Sequence, residues 1–189
     1  MCGIFGGYNI NLNETEKGIN LINRGNDGIT ISQLGDKTFF AARRHAIKFS
    51  GNEENLFGNS DQPYYSDDKN VALIFNGEFY NFSEYKDNLI KDEINFKTEG
   101  DTEVLLKLYE KNGINFLRDK KIDALYSIAV HDKKLNKIFI SRDWPGRIPL
   151  YYYHEKGRFI FSSELKAFRA ISDLSLQDPI ELEPGKIVE

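Results

Sequence analysis

The sequence predicts an α+β fold of layered antiparallel sheets. Three features point there. The 14 Phe and 10 Tyr fall largely in short β-branched or alternating runs, the pattern of half-buried strands. Turn chemistry at Gly35-Asp36 and Glu155-Lys156-Gly157 joins neighbouring runs into hairpins. Strands also come in blocks broken by a few helices, where a parallel sheet would alternate the two.

In chain order, strands are expected at Cys2 to Gly7, Ile29 to Leu34, Thr38 to Ala42, Val71 to Phe75, Leu125 to Val130, Lys137 to Ser141, Leu150 to Tyr153 and Phe159 to Ser162. The clearest helix begins near Asp101, carries Val104, Leu105, Leu108 and Tyr109 at helical spacing and stops at Asn112-Gly113. A second follows Asn81, whose side chain is placed to cap with Glu84 three residues on. Phe82, Tyr85, Leu89 and Ile90 form its apolar stripe. A weaker third covers Glu14 to Ile22. Polar, glycine-containing sequence at Phe49 to Asp68 and Leu174 to Pro184 reads as surface loop.

At 189 residues the chain can bury one substantial core, so residues 1–189 read as a single domain. Apolar residues make up 40% and charged residues 29%, with no run of eighteen apolar residues and no basic-then-apolar leader. Neither a membrane span nor a signal peptide is expected, which points to the cytoplasm and makes the sequons at Asn13 and Asn81 chance matches. A net charge of -4 argues against a nucleic-acid partner, because such proteins carry a basic face. One cysteine forms no internal disulfide, and His45, His131 and His154 are too scattered for a metal cluster, so no metal is expected.

Cys2 has a bland reading, a small residue starting a buried strand. It also has a sharper one. Removal of Met1, expected before a small second residue, leaves a thiol and a free α-amino group on the same residue. That amine has a pKa near 8, roughly, so a useful fraction is neutral and can take the thiol proton. Nucleophile and base then need no histidine. Gly3, Gly6 and Gly7 allow close approach of backbone or substrate.

The opening Met-Cys-Gly-Ile-Phe-Gly of residues 1–6 resembles the start of the class II glutamine amidotransferases, members of the N-terminal-nucleophile hydrolases. Five further segments match in the family's order: Arg24-Gly25-Asn26-Asp27, Phe75-Asn76-Gly77-Glu78-Phe79-Tyr80-Asn81, Gly100-Asp101-Thr102-Glu103-Val104, the run from Arg142-Asp143 to Tyr151-Tyr152, and Ser163-Glu164-Leu165-Lys166-Ala167. Within the family, Glu78 in Asn-Gly-Glu, Pro149-Leu150-Tyr151-Tyr152 and Ser163 to Lys166 look most like the glutaminase domain of asparagine synthetase. The purine-biosynthetic and hexosamine-forming amidotransferases are the runners-up. Asn23, Asn26, His45-Ala46 and Lys48-Phe49 depart from the family's usual residues.

The resemblance implies a four-layer αββα sandwich and hydrolysis of glutamine by Cys2. It places the Asn76 side-chain amide and the Gly77 backbone N–H in an oxyanion hole. Arg44, rather than Arg43, takes the substrate carboxylate, and Asp101 with Glu78 takes the ammonium. Asp101 also reads independently as a helix N-cap. Arg24, Asp27, Arg142 and Asp143 read as structural braces. No Ser-Gly-Gly-x-Asp loop is present, so ATP and Mg are expected only in a synthetase partner or missing domain that receives ammonia, and no cofactor in this one. Two rivals stand beside this reading: an N-terminal-nucleophile hydrolase acting on another amide, and a catalytically silent binding or regulatory module.

Overall fold

A computed structural model describes residues 2–44, 62–175 and 177–189. Met1, the departures at His45-Ala46 and Lys48-Phe49, and most of the expected loop from Phe49 to Asp68 lie outside the described residues. Among those described, the elements are β1 (Gly3–Tyr8), α1 (Leu12–Leu21), β2 (Gly28–Gly35), β3 (Thr38–Arg44), β4 (Tyr64–Tyr65), β5 (Val71–Phe79), α2 (Phe82–Lys91) and α3 (Asp101–Asn112). They continue with β6 (Ala124–Asp132), β7 (Lys137–Arg142), β8 (Tyr151–Glu155), β9 (Arg158–Ser162), β10 (Ile180–Glu181) and β11 (Ile187–Val188). No helix among them is long and apolar enough to cross a membrane.

The strands form two antiparallel sheets, ordered β10-β8-β9-β1-β3-β2 and β11-β7-β6-β5-β4. Period-2 alternation sorts their side chains into three apolar layers. On β1, Phe5 faces α1 with Ile19 and Phe168, while Ile4 faces the other sheet with Phe40, Ala42, Ala72, Ile74 and Ala129. On β5, Val71, Leu73 and Phe75 pack outward against Val104, Leu105 and Leu108 of α3. The order is therefore helix, sheet, sheet, helix. Small residues at 42, 72 and 129 line the layer between the sheets, where bulk on both facing strands would hold the sheets apart.

Several local expectations change. The Asn81 side chain does not cap α2. It bridges instead to the segment before β6, donating to the Lys121 carbonyl at 3.0 Å and accepting the Asp123 N–H at 2.9 Å. The capping box belongs to α1: the Asn11 side chain accepts the Glu14 N–H and Glu14 accepts the Asn11 N–H, both at 2.9 Å, so that helix starts at Leu12. Both expected loops contain strand. β4 extends the second sheet beside β5, and β10 closes the first beside β8, with Leu182 buried between the sheets.

Glu103, buried on α3, accepts the Lys97 N–H at 2.9 Å, the Thr98 N–H at 2.6 Å and the Thr98 hydroxyl at 2.7 Å. It ties down the segment that leads into Asp101. Beside it, burial and the Glu103 carboxylate push the Tyr64 hydroxyl up to about 12. Glu103→Ala would strand those donors, so a loss of about 2–4 kcal/mol in urea denaturation is expected. A value under about 1 kcal/mol would show that water replaces the carboxylate freely.

Candidate active site

The same alternation brings the functional side chains to one end of the sandwich. Gly3 lies on the helix side, where an added Cβ would stand 2.4 Å from Ile22 Cγ2, so Cys2, one residue upstream, returns to the side facing the second sheet. On β3, Ala42 faces between the sheets and Arg44 follows it by two. On β5, Ile74 is followed in the same way by Asn76. Gly3 pairs with Arg43, and Gly28 with Arg44, which sets Cys2 beside the end of β3. The ends of β7 and β9 at Arg142 and Ser162, paired with Ser127 and Phe5, belong to this same end.

Cys2, partly exposed, lines a cavity of about 120 Å³ together with Asp27, Thr30, Ala42, Arg44 and Gln62. The adjacent arginines divide their work by facing opposite ways. Arg44 lines the cavity, whereas Arg43 braces the backbone after α1, donating to the Gly25 carbonyl at 2.8 Å and the Ile22 carbonyl at 2.6 Å. Arg24 pairs with Glu164 at 2.9 Å. Burial pushes the Glu164 carboxyl up, but hydrogen bonds from Lys166 and Arg24 outweigh this and leave it below the usual range. Asp27, read from sequence as a brace, also lines the cavity, and its N–H donates to the Arg44 carbonyl at 3.0 Å.

Asn76 is fully buried, and neither its Nδ2 nor its Oδ1 has a hydrogen-bond partner among the described residues. Ser127, directly opposite on β6, is buried with an unpartnered hydroxyl as well. Buried amides almost always find partners, and leaving one without costs about 1–3 kcal/mol. Such an amide keeps its donor and acceptor capacity unused among the described residues. At Gly77 an added Cβ would lie 2.0 Å from the Leu125 carbonyl oxygen. Glycine is thus required there by the approach of β6, rather than by the approach of a substrate.

Asp101 is the first residue of α3, behind Gly100 at the cap, and its Oδ1 accepts the Thr102 hydroxyl at 3.3 Å. Its Oδ2 accepts the Phe79 N–H at 3.2 Å, which pulls the start of α3 onto the end of β5. Burial lifts the Asp101 carboxyl above the ordinary carboxylate range. The Phe79 N–H opposes that lift, and the neighbouring charge of Glu78 adds to it. Glu78 itself is exposed. Asn76, Gly77, Glu78 and Asp101 stand outside the lining of the Cys2 cavity. Gln62, missed in the sequence because no motif marks it, lines that cavity and accepts the Phe75 N–H at 2.7 Å. A wider cavity of about 420 Å³ at the opposite end, lined by Tyr8, His131, Lys137, His154 and Phe159, has no thiol in its lining.

Arg142 and Asp143 brace this end. Arg142 donates to Glu181 at 2.7 Å, to the Leu182 carbonyl at 2.8 Å and to the Gly146 carbonyl. Asp143 accepts the N–H groups of Arg147 and Ile148 at 2.9 and 3.1 Å. The loop they hold leaves Trp144 82% exposed.

The family model of the glutamine amidotransferase domain matches residues 1–181. The chain belongs to that family. As a glutamine amidotransferase domain it is 42% identical, over 109 residues, to asparagine synthetase [glutamine-hydrolyzing] 2 of Bacillus subtilis, covering 58% of this chain and 14% of that protein. It is 34% identical, over 175 residues, to asparagine synthetase B [glutamine-hydrolyzing] of Escherichia coli, covering 88% of this chain and 30% of the relative. The chain therefore spans under a third of the length of these relatives. Its fold matches a glutamine phosphoribosylpyrophosphate amidotransferase of B. subtilis with a TM-score of 0.71 at 21% identity, over 98% of this chain and 46% of the other. The four-layer sandwich expected for an N-terminal-nucleophile hydrolase is the architecture found.

Proposed function

We propose that this domain hydrolyses the side-chain amide of glutamine with Cys2 as nucleophile and delivers the ammonia to an ATP-dependent synthetase unit. The observation that carries the reading is a buried, unpartnered Asn76 amide on the sheet facing the one that begins at Cys2, at the same end of the sandwich. After loss of Met1, the α-amine takes the thiol proton and the thiolate attacks the amide carbon. The carbonyl oxygen becomes an oxyanion, met by Asn76 Nδ2 and the Gly77 N–H. Collapse expels ammonia, which carries off the proton, and leaves a thioester on Cys2. Water then frees glutamate. Arg44 holds the substrate carboxylate, and Asp101 with Glu78 holds the ammonium. The chemistry asks for no metal or cofactor in this domain, whose setting is the cytoplasm.

Ammonia in neutral water is mostly protonated and a poor nucleophile, so free release wastes glutamine. A closed path into a synthetase-type partner or further domain, docked on Arg142 to Tyr153 and the C-terminal segment, avoids that loss, and exposed Trp144 lies on this face. The test is ammonia release from glutamine by the processed chain, with and without such a partner supplied with its acceptor and ATP. Stimulation by the partner supports delivery. Full-speed hydrolysis that no partner changes would leave a simple glutaminase.

Arg44→Ala and Asp101→Asn are expected to raise the glutamine KM by roughly 10- to 100-fold, the scale of a charged hydrogen bond, with smaller effects on kcat. Because burial raises the Asp101 pKa, the carboxylate takes up its proton earlier than an ordinary one as pH falls. KM therefore climbs on the acid side in the parent and stays high and flat in Asp101→Asn. Linkage gives a second sign: with a raised folded-state pKa, the stability contributed by protonated Asp101 is lost as pH rises through that pKa. Asp101→Asn should thus melt no lower than the parent at neutral pH. A parental KM in Asp101→Asn would remove this residue from the pocket.

A further inference from the structure

Gln62 touches both sheets at the nucleophile end. β4 pairs Tyr64 with Leu73 and Tyr65 with Ala72, and the same register carried back two residues sets Gln62 opposite Phe75. The ladder acceptor for the Phe75 N–H would be the Gln62 backbone carbonyl, and the Gln62 side chain takes that place: Oε1 accepts the Phe75 N–H at 2.7 Å. Its backbone carbonyl is turned the other way, where it accepts the Thr30 hydroxyl of β2. The residue also lines the cavity with Cys2 and Arg44. It therefore joins the strand that carries Asn76 to the edge strand of the nucleophile's sheet.

We infer that Gln62 is a positioning residue for the amide hydrolysis, setting β5 against the first sheet and so fixing the reach from Cys2 to the Asn76 amide. This rests on the oxyanion role proposed for Asn76. Asn76 makes no side-chain hydrogen bond among the described residues, so its backbone sets where the amide stands, and Gln62 holds that backbone one residue away. A misplacement of about 1 Å can cost ~100-fold in rate. The sequence hides this role because Gln62 lies in a polar stretch with no motif, next to a strand of two residues.

The test compares Gln62→Met, of equal length without an acceptor, with Gln62→Glu, which keeps an acceptor oxygen. In the processed full chain, kcat, the glutamine KM, the melting temperature and the rate of Cys2 alkylation by iodoacetamide are measured. Gln62→Met is expected to lose roughly 10- to 100-fold in kcat, with KM and alkylation within about twofold, because the thiol and the Arg44 end are untouched. Gln62→Glu is expected to return to within about fivefold of the parent, its acceptor restored and its charge accounting for the remainder. Should Gln62→Met fail to fold, Gln62→Asn, whose carbonyl falls one methylene short of Phe75, serves the same comparison. Parental turnover in Gln62→Met, Gln62→Glu no faster than Gln62→Met, or kcat, KM, alkylation and melting all worsening together would overturn the inference. Asn76→Ala runs alongside. If it is slow while Gln62→Met is not, only the role of Gln62 fails; if it is fast, the oxyanion reading fails and takes the inference with it.

Discussion

Cys2→Ser is expected to fold like the parent and to lose hydrolysis of glutamine by roughly 10³-fold or more, the scale on which removing a covalent nucleophile acts. The side chain is partly exposed and serine is close in size, so stability should shift by no more than about 0.5 kcal/mol. Chemistry suffers because a hydroxyl is far less ionised than a thiol, and the α-amine is too weak a base to make up the difference. The same mechanism requires the active protein to begin at Cys2. A retained Met1 turns the base into an amide nitrogen and crowds the nucleophile. Intact-mass analysis of active fractions, with covalent labelling by a glutamine-like diazoketone, checks both points. Active protein that keeps Met1, or label found elsewhere than Cys2, would falsify the mechanism.

Asn76→Ala is expected to lower kcat by about 100-fold or more while the glutamine KM changes little. The amide makes no hydrogen bond among the described residues, and in the proposed mechanism it meets its partner only when the carbonyl oxygen becomes charged. An interaction made only in the transition state appears in kcat, and one made equally in the ground state appears in KM. Removing an unpartnered amide also relieves its desolvation cost of about 1–3 kcal/mol, which offsets the packing lost, so little change in melting is expected. Steady-state kinetics of Asn76→Ala beside Arg44→Ala and Asp101→Asn separates the roles. Equal losses of turnover in all three, with KM unchanged, would reject the division between oxyanion donor and substrate ligands.

The eight expected strands and three expected helices are all present, because β-branched alternation and helical spacing record which faces must be buried. Six motif segments in family order mark Cys2, Asn76 and Asp101 as candidates, and the likeness of the stretch from Ala42 to Ile47 to the family prefers Arg44 over Arg43. Their ends were less legible. Asn81 and Asn11 are equally good caps by residue type, and Asn81 is diverted because β6 brings Lys121 and Asp123 within its reach. Asp101 reads as a cap but sits one residue inside the helix, since the end of β5 offers its carboxylate the Phe79 N–H.

By itself, the sequence determined the alternation of each strand, the helix stripes, the family and the identity of the candidate nucleophile, all properties written within short stretches of chain. Tertiary structure decided what depends on register between distant strands. It set Ser127 against Asn76, brought Asp27 to the cavity that holds Cys2, and gave the Phe75 N–H the Gln62 side chain as its acceptor. β4 and β10 escaped the sequence for the same reason. Two residues carry too little pattern to be read alone, and they become strand only because a longer neighbour presents unpaired N–H and C=O groups that burial obliges some partner to meet.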